Sequence, residues 1–234
     1  MIVIGMALLL HSAIWRAHGS EARYLRQLTT CVLLAGFVAA LCVQAELALT
    51  RWDASYGSDE ASYWSRIVAE TAGEPIRSSG PAPGLIFYGA WILRWAFLPG
   101  ILWVRLANVV LYSLSMNLLL AVIFSRLSTG FRPTWSSLTR LFILGSCNGI
   151  VLWTIIRVGK EPLLIFAFAC IVYCINLFQT ARARLLRLLG IVAAAAMLAS
   201  LRAGAQYLVL LATIGGGVSH FRRLQLCRGG SRRS

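Results

Sequence analysis

An all-α bundle of membrane-crossing helices is the fold class this sequence predicts, and three observations predict it. Of the 234 residues, 59% are apolar and only 13% charged, whereas a soluble domain carries roughly a quarter charged residues. Several apolar runs approach the ~20 residues that a helix needs to cross hydrocarbon. Those runs lack the period-two alternation of a transmembrane barrel, so their backbone polar groups must be satisfied inside helices. The expected organisation is one transmembrane domain over residues 1–220 with about seven spans. Within it an outer-face loop over 50–100 carries amphipathic interfacial helices, and a basic cytoplasmic tail follows over 221–234.

The net charge of +14 does not read as a nucleic-acid footprint. The arginines are spread between hydrophobic runs, as topology determinants are, and no nucleic-acid partner is expected. The partner they imply is membrane lipid. The tail FRRLQLCRGGSRRS meets anionic headgroups or is disordered. Among the six cysteines no metal-ligand spacing occurs. Cys170 and Cys174 share a helix face, but no His or second pair accompanies them. One lysine, Lys160, stands among many arginines, with abundant Ala and Leu. That bias points to a GC-rich bacterial genome and to the cytoplasmic (inner) membrane.

Taken in order, residues 1–15 are apolar but span only about 22 Å as a helix. They lack the basic start and cleavage site of a signal peptide, so a short or tilted first helix is expected. Arg16, Arg23 and Arg26 form a basic loop before a clear span over 28–49. The positive-inside rule places that loop in the cytoplasm and the next stretch outside.

That next stretch, SDEASYWSRIVAETAGEPIRSSGPAP over 58–83, is the only long polar segment. With Asp53 just before it, it holds five of the eight acidic residues. Ser58 is the expected cap of an amphipathic helix whose first turn carries Asp59 and Glu60. Asp59, Ser62, Arg66 and Glu70 follow one face, and Tyr63, Trp64, Ile67 and Val68 the other. Pro75 and then GPAPG are expected to end the helix.

Beyond it, 85–98 is apolar but short and carries Arg94. A full span over 102–124 has Arg105 near its start, and Arg126, Arg132 and Arg140 surround the loop that follows. Residues 141–156 span again and end at RVGKE, from Arg157 to Glu161. Pro162 opens a span to Phe178, Arg182, Arg184 and Arg187 form a basic turn, and apolar segments over 188–200 and 204–219 lead into the tail. Charge counting decides whether 85–98 crosses. If it does, two arginine-rich loops fall outside. If it is re-entrant or interfacial, both become cytoplasmic and RVGKE joins the acidic stretch on the outer side. The second arrangement is the one expected.

One outer surface then collects Asp59, Glu60, Arg94, Arg105, Arg157 and Lys160. Carboxylates facing cations suit transfer chemistry on a phosphate-linked substrate, where a carboxylate takes a proton from an attacking hydroxyl and cations stabilise a leaving phosphate. A blander reading stands beside it. Acidic residues in a first helical turn stabilise the helix by ~0.3–1 kcal/mol each without any chemistry, and Arg94 and Arg105 can snorkel to headgroups.

The ordered pattern Asp59-Glu60-Ala61-Ser62-Tyr63, Gly73-Glu74-Pro75, Pro81-Ala82-Pro83, Phe87-Tyr88, Gly100 and Arg105-Leu106-Ala107-Asn108, with Arg126 and Gly130 behind it, resembles the polyprenol-phosphate-dependent GT-C glycosyltransferases. That family includes protein O-mannosyltransferases and lipid A aminoarabinose transferases. The resemblance implies that Asp59 is the catalytic base, assisted by Glu60, and that the donor is a sugar on a polyprenyl phosphate, transferred with inversion outside the membrane. It implies outer-side cations on the donor phosphate, for which Arg105, Lys160 and Arg157 are the candidates, with Tyr63 also in the substrate-binding set. No separate cofactor is expected, and a divalent metal stays open. About seven spans are expected here, where that family's members usually have more. The alternative is therefore a non-catalytic GT-C-like membrane subunit of a polysaccharide or lipid-carrier assembly or translocation complex, working beside a larger glycosyltransferase.

Overall fold

The structure, a computed structural model, describes residues 12, 22–50, 57–74, 82–96, 100–127, 153–154, 156–177 and 181–202. The elements among them are helices: α1 (Ala22–Thr50), α2 (Gly57–Thr71), α3 (Pro83–Arg94), α4 (Ile101–Leu127), α5 (Glu161–Leu177) and α6 (Ala181–Leu201). The described chain is all-α, as its composition and apolar runs predict. The expected helix over 1–15, most of the span over 141–156, the loop carrying Arg132 and Arg140, the segment 204–219 and the tail lie outside the described residues.

Two described helices are long and apolar enough to cross a membrane: α1 over Thr29–Glu46 and α4 over Ile101–Ile123. α5 and α6 carry shorter apolar stretches, Glu161–Ile175 and Leu188–Leu201. The stretch with Arg182, Arg184 and Arg187, expected as a turn, is helical and forms the start of α6. Its residues are Ala, Arg and Leu, all strong helix formers, so nothing in ARARLLRLL stops the backbone from continuing.

The long helices form a row, α1 against α4, α4 against α5, α5 against α6. Val32 packs on Val109 and Tyr112, Leu114 and Leu118 on Ala169, and Ala167 and Ile171 on Ala194 and Leu198. Glycines set the spacing. A Cβ on Gly36 would come within 2.5 Å of Val109 Cγ1, and one on Gly190 within 2.7 Å of Cys174 Sγ. Small residues at helix contacts are how backbones approach closely where lipid removes the hydrophobic drive between helices.

α2 and α3 cover one end of this row. The end of α1, the start of α4, the start of α5 and the end of α6 all meet there, because Gln44 bonds Arg105 and Leu163 packs with Leu201. The segment from α1 to α4 therefore leaves and returns at a single end of the bundle. α3, with 12 residues, reaches only about 18 Å.

The apolar face of α2 drives its docking. Ile67 is fully buried with Ile86, Leu93, Ile101, Val104 and Val158, and Tyr63 and Trp64 lean on the same cluster. Val68, expected on that face, is 44% exposed. Gly89 on α3 lets α2 sit close, since a Cβ there would lie 2.5 Å from Ile67 Cδ1 and 2.8 Å from its Cγ1. Gly89→Ala is accordingly expected to lower stability by about 1–3 kcal/mol through overpacking, read as a fall in Tm in mild detergent. An unchanged Tm would mean that α2 does not pack this tightly.

α2 stops before Pro75 is reached. The Gly73 N–H bonds the Glu70 carbonyl (3.1 Å), the Glu74 N–H bonds the Ala69 carbonyl (3.0 Å), and Gly73 takes φ +79°. This is a Schellman stop with glycine at the left-handed position. The glycine, rather than the expected proline, ends the helix. α3 opens on Ala82, buried in the left-handed region at φ +57°, directly before Pro83. An L-residue there costs ~1–2 kcal/mol, which the packing of Ala82 with Leu85, Leu163 and Leu201 offsets.

Candidate functional site at the capped end of the bundle

The start of α2 carries two carboxylates with opposite fates. Glu60 lies on the buried side of the helix, in step with Tyr63, Trp64 and Ile67, and its side chain is fully buried. Asp59, one residue earlier, is exposed.

Glu60 is the centre of a clamp. Its Oε1 accepts a hydrogen bond from Arg105 Nη2 at 3.2 Å and another from the Val158 backbone N–H at 2.8 Å. The Arg105 guanidinium is also fully buried and donates through Nη1 to Gln44 Oε1 at 2.9 Å. One buried ion pair thus joins α1, α2, α4 and the turn before α5. Charges taken out of water need such pairing and hydrogen bonding to persist.

A second bond reinforces the turn. Asn108, one helical turn after Arg105, donates from Nδ2 to the Arg157 carbonyl at 2.9 Å. The Gly159 N–H bonds the Arg157 carbonyl (3.0 Å), and the Leu164 N–H bonds the Lys160 carbonyl (3.0 Å), so α5 starts directly from the turn. Arg157 is half-buried, with its guanidinium carbon 5.4 Å from the centre of the Trp153 ring, within cation–π range. Lys160 is half-buried and Glu161 exposed.

Tyr63 stands one turn after Asp59 on α2, half-buried between the cluster around Ile67 and the one around Leu163. Burial, and then the negative charges of Asp59 and Glu161, push its phenol above the usual tyrosine range, with Arg66 opposing. Its hydroxyl therefore stays protonated, a donor, across physiological pH.

The structure brings Glu60, Arg105 and the turn carrying Arg157 and Lys160 to one place, beside Asp59 and Tyr63. It takes Arg94 elsewhere. Arg94 donates to the Glu70 carbonyl at 3.1 Å and lies 3.6 Å from Glu70 Oε1, tying the end of α3 to the far end of α2. Arg105 is engaged by Glu60, so it reaches a donor phosphate only by giving up that partner. Three contributors were not expected from sequence: Gln44, the Val158 N–H and Glu161. For Gln44 the available signal was a polar residue near the end of an apolar span, which ordinarily finds a partner inside the bundle. A backbone N–H carries no signal of its own. Among the described residues, no three His, Cys, Asp or Glu side chains gather to hold a metal ion.

Comparisons with protein families, with curated proteins and with solved structures find no match to this chain. The functional reading rests on the site.

Proposed function

We propose that the chain is a membrane glycosyltransferase that moves a sugar from a polyprenyl-phosphate donor to an acceptor hydroxyl on the outer side of the membrane, in the manner of the GT-C enzymes its sequence resembles. The observation that carries this reading is the contrast between neighbours. Glu60 is fully buried against Arg105, while Asp59 is exposed at the end of the bundle where Arg157 and Lys160 are also docked.

In the reaction the acceptor oxygen attacks the anomeric carbon from the face opposite the phosphate. The new C–O bond forms as the anomeric C–O bond to phosphate breaks, and that electron pair leaves on the phosphate oxygen. Asp59 takes the proton of the attacking hydroxyl. The products are an inverted glycoside and the polyprenyl phosphate. Lys160 and Arg157 hold the donor phosphate and stabilise its growing charge. Arg105 is a positioning residue that acts through Glu60 to fix the first turn of α2. About seven spans in a bacterial cytoplasmic membrane, with α2, α3 and the turn before α5 facing outward, complete the arrangement. Supporting it, the α1-to-α4 segment begins and ends at one end of the bundle.

The test is a deletion strain rescued with wild type or Asp59→Asn, read by polyprenyl-phosphate lipids and surface glycans. Only wild type is expected to clear an accumulated lipid-linked sugar. Rescue by both variants overturns the proposal. The second reading, a non-catalytic membrane subunit, is favoured by the Glu60–Arg105 clamp, which gives both residues a purely structural role. It predicts co-purification of a larger glycosyltransferase and indifference to Asp59→Asn.

A further inference from the structure

Two buried polar groups beneath α3 take no part in the clamp or in the proposed reaction. Tyr88 packs against the cluster of Ile67, Val104 and Val158 and against that of Leu85, Leu163 and Leu201. Its hydroxyl is buried and has no hydrogen-bond partner. Asn108 is fully buried on α4. Val104 lies one turn before it and Leu111 one turn after, so the three share a face of α4. Both neighbours belong to the clusters that Tyr88 touches. Asn108 Nδ2 donates to the Arg157 carbonyl, beside Val158, and Oδ1 is left as a buried acceptor without a partner.

A buried polar atom without a partner forfeits its hydration, a cost that native interiors avoid by supplying one. A phenol can donate to an amide oxygen, yet these two do not bond each other. Each is therefore open to a third group placed between them. Neither carries charge, because burial holds the Tyr88 phenol well above the usual tyrosine range and keeps it a neutral donor. An ion is not matched here. Nor is there room for a large molecule: a Cβ on Gly84 would collide with Ser200, and one on Gly89 with Ile67, so α3 sits close against α6 and α2.

We infer that Tyr88 and Asn108 form an internal water site, in which water accepts from Tyr88 Oη and donates to Asn108 Oδ1. The bridge ties α3 to α4. Asn108 also holds the Arg157 carbonyl, so Tyr88 becomes a positioning residue for the turn that carries Arg157 and Lys160. The site does not depend on the transferase reading.

Tyr88→Phe removes one oxygen and keeps the ring, so the variant is expected to fold. In full-length protein in mild detergent it is expected to lower the Tm by about 2–4 °C, as losing a water-mediated hydrogen bond does in a chain of this size. A raised or unchanged Tm would mean that the hydroxyl is a bare group better removed, and overturns the site. A high-resolution experimental structure is expected to show a density peak within hydrogen-bond distance of both Tyr88 Oη and Asn108 Oδ1. A direct bond between the two side chains, or contact without a peak, overturns it as well.

Positioning is read at Trp153, whose ring lies 5.4 Å from the Arg157 guanidinium carbon. With 5-fluorotryptophan incorporated and the Trp153 signal assigned by Trp153→Phe, Tyr88→Phe is expected to shift that 19F resonance. A merely local packing role would leave it in place, and an unshifted signal beside a lowered Tm overturns the coupling to the turn.

Discussion

Arg105→Ala is expected to destabilise the protein by about 3–5 kcal/mol, because it leaves the Glu60 carboxylate buried without its cation. Both side chains of this pair are fully buried, and the partner oxygen also holds the Val158 N–H. Glu60→Ala is expected to cost a similar amount by stranding the guanidinium beside Gln44. The pair is coupled, so the double replacement costs less than the sum of the singles. Gln44→Ala removes a hydrogen bond to a charged group and costs about 1.5–3 kcal/mol. Unfolding in mild detergent, followed for the two singles and the double, reads these values directly. Single replacements that each cost under about 1 kcal/mol, the range of exposed ion pairs, would contradict a buried clamp.

Asp59→Asn is expected to behave in the opposite way. Asp59 is exposed at the first turn of α2, so its charge supports the helix by only ~0.3–1 kcal/mol and the fold survives its loss. Transfer falls steeply. Asparagine cannot take a proton from the attacking hydroxyl, and losing a general base costs on the order of 100- to 10,000-fold in turnover. Donor binding through Lys160 and Arg157 is untouched by the change, so the loss is expected in kcat with the donor KM held. Asp59→Glu keeps the base but displaces it and is expected to retain part of the activity. A rise in donor KM with kcat intact would assign Asp59 to binding instead.

The helices were legible because their signals are local. Apolar runs located α1 and α4, and the amphipathic pattern located α2. Its buried face was legible through Ile67 and Trp64, yet Glu60 shares that face and was grouped with Asp59 because both are acidic. The spacing held the correction: Glu60 is one turn before Trp64 and two before Ile67, so whatever buries them buries it. Arg105 raised the same difficulty. A cation near the start of an apolar span looks the same in sequence whether it snorkels to headgroups or pairs inside, and only the position of Glu60 separates the two. The end of α2 was misread because Pro75 is the louder breaker, whereas Gly73 acts through a left-handed φ that becomes visible only with its two carbonyl partners. The docking of the turn before α5 was invisible for another reason: its two anchors, Glu60 on α2 and Asn108 on α4, lie 98 and 49 positions from the turn residues they hold.

The most direct measurement is made on Asp59→Asn alone, with Tm in mild detergent and turnover of the polyprenyl-phosphate-linked sugar read on the same preparation. The account predicts stability within about 1 kcal/mol of wild type and turnover lowered on the order of 100- to 10,000-fold. Wild-type turnover in that variant, or a loss of stability as large as that of Arg105→Ala, would contradict it.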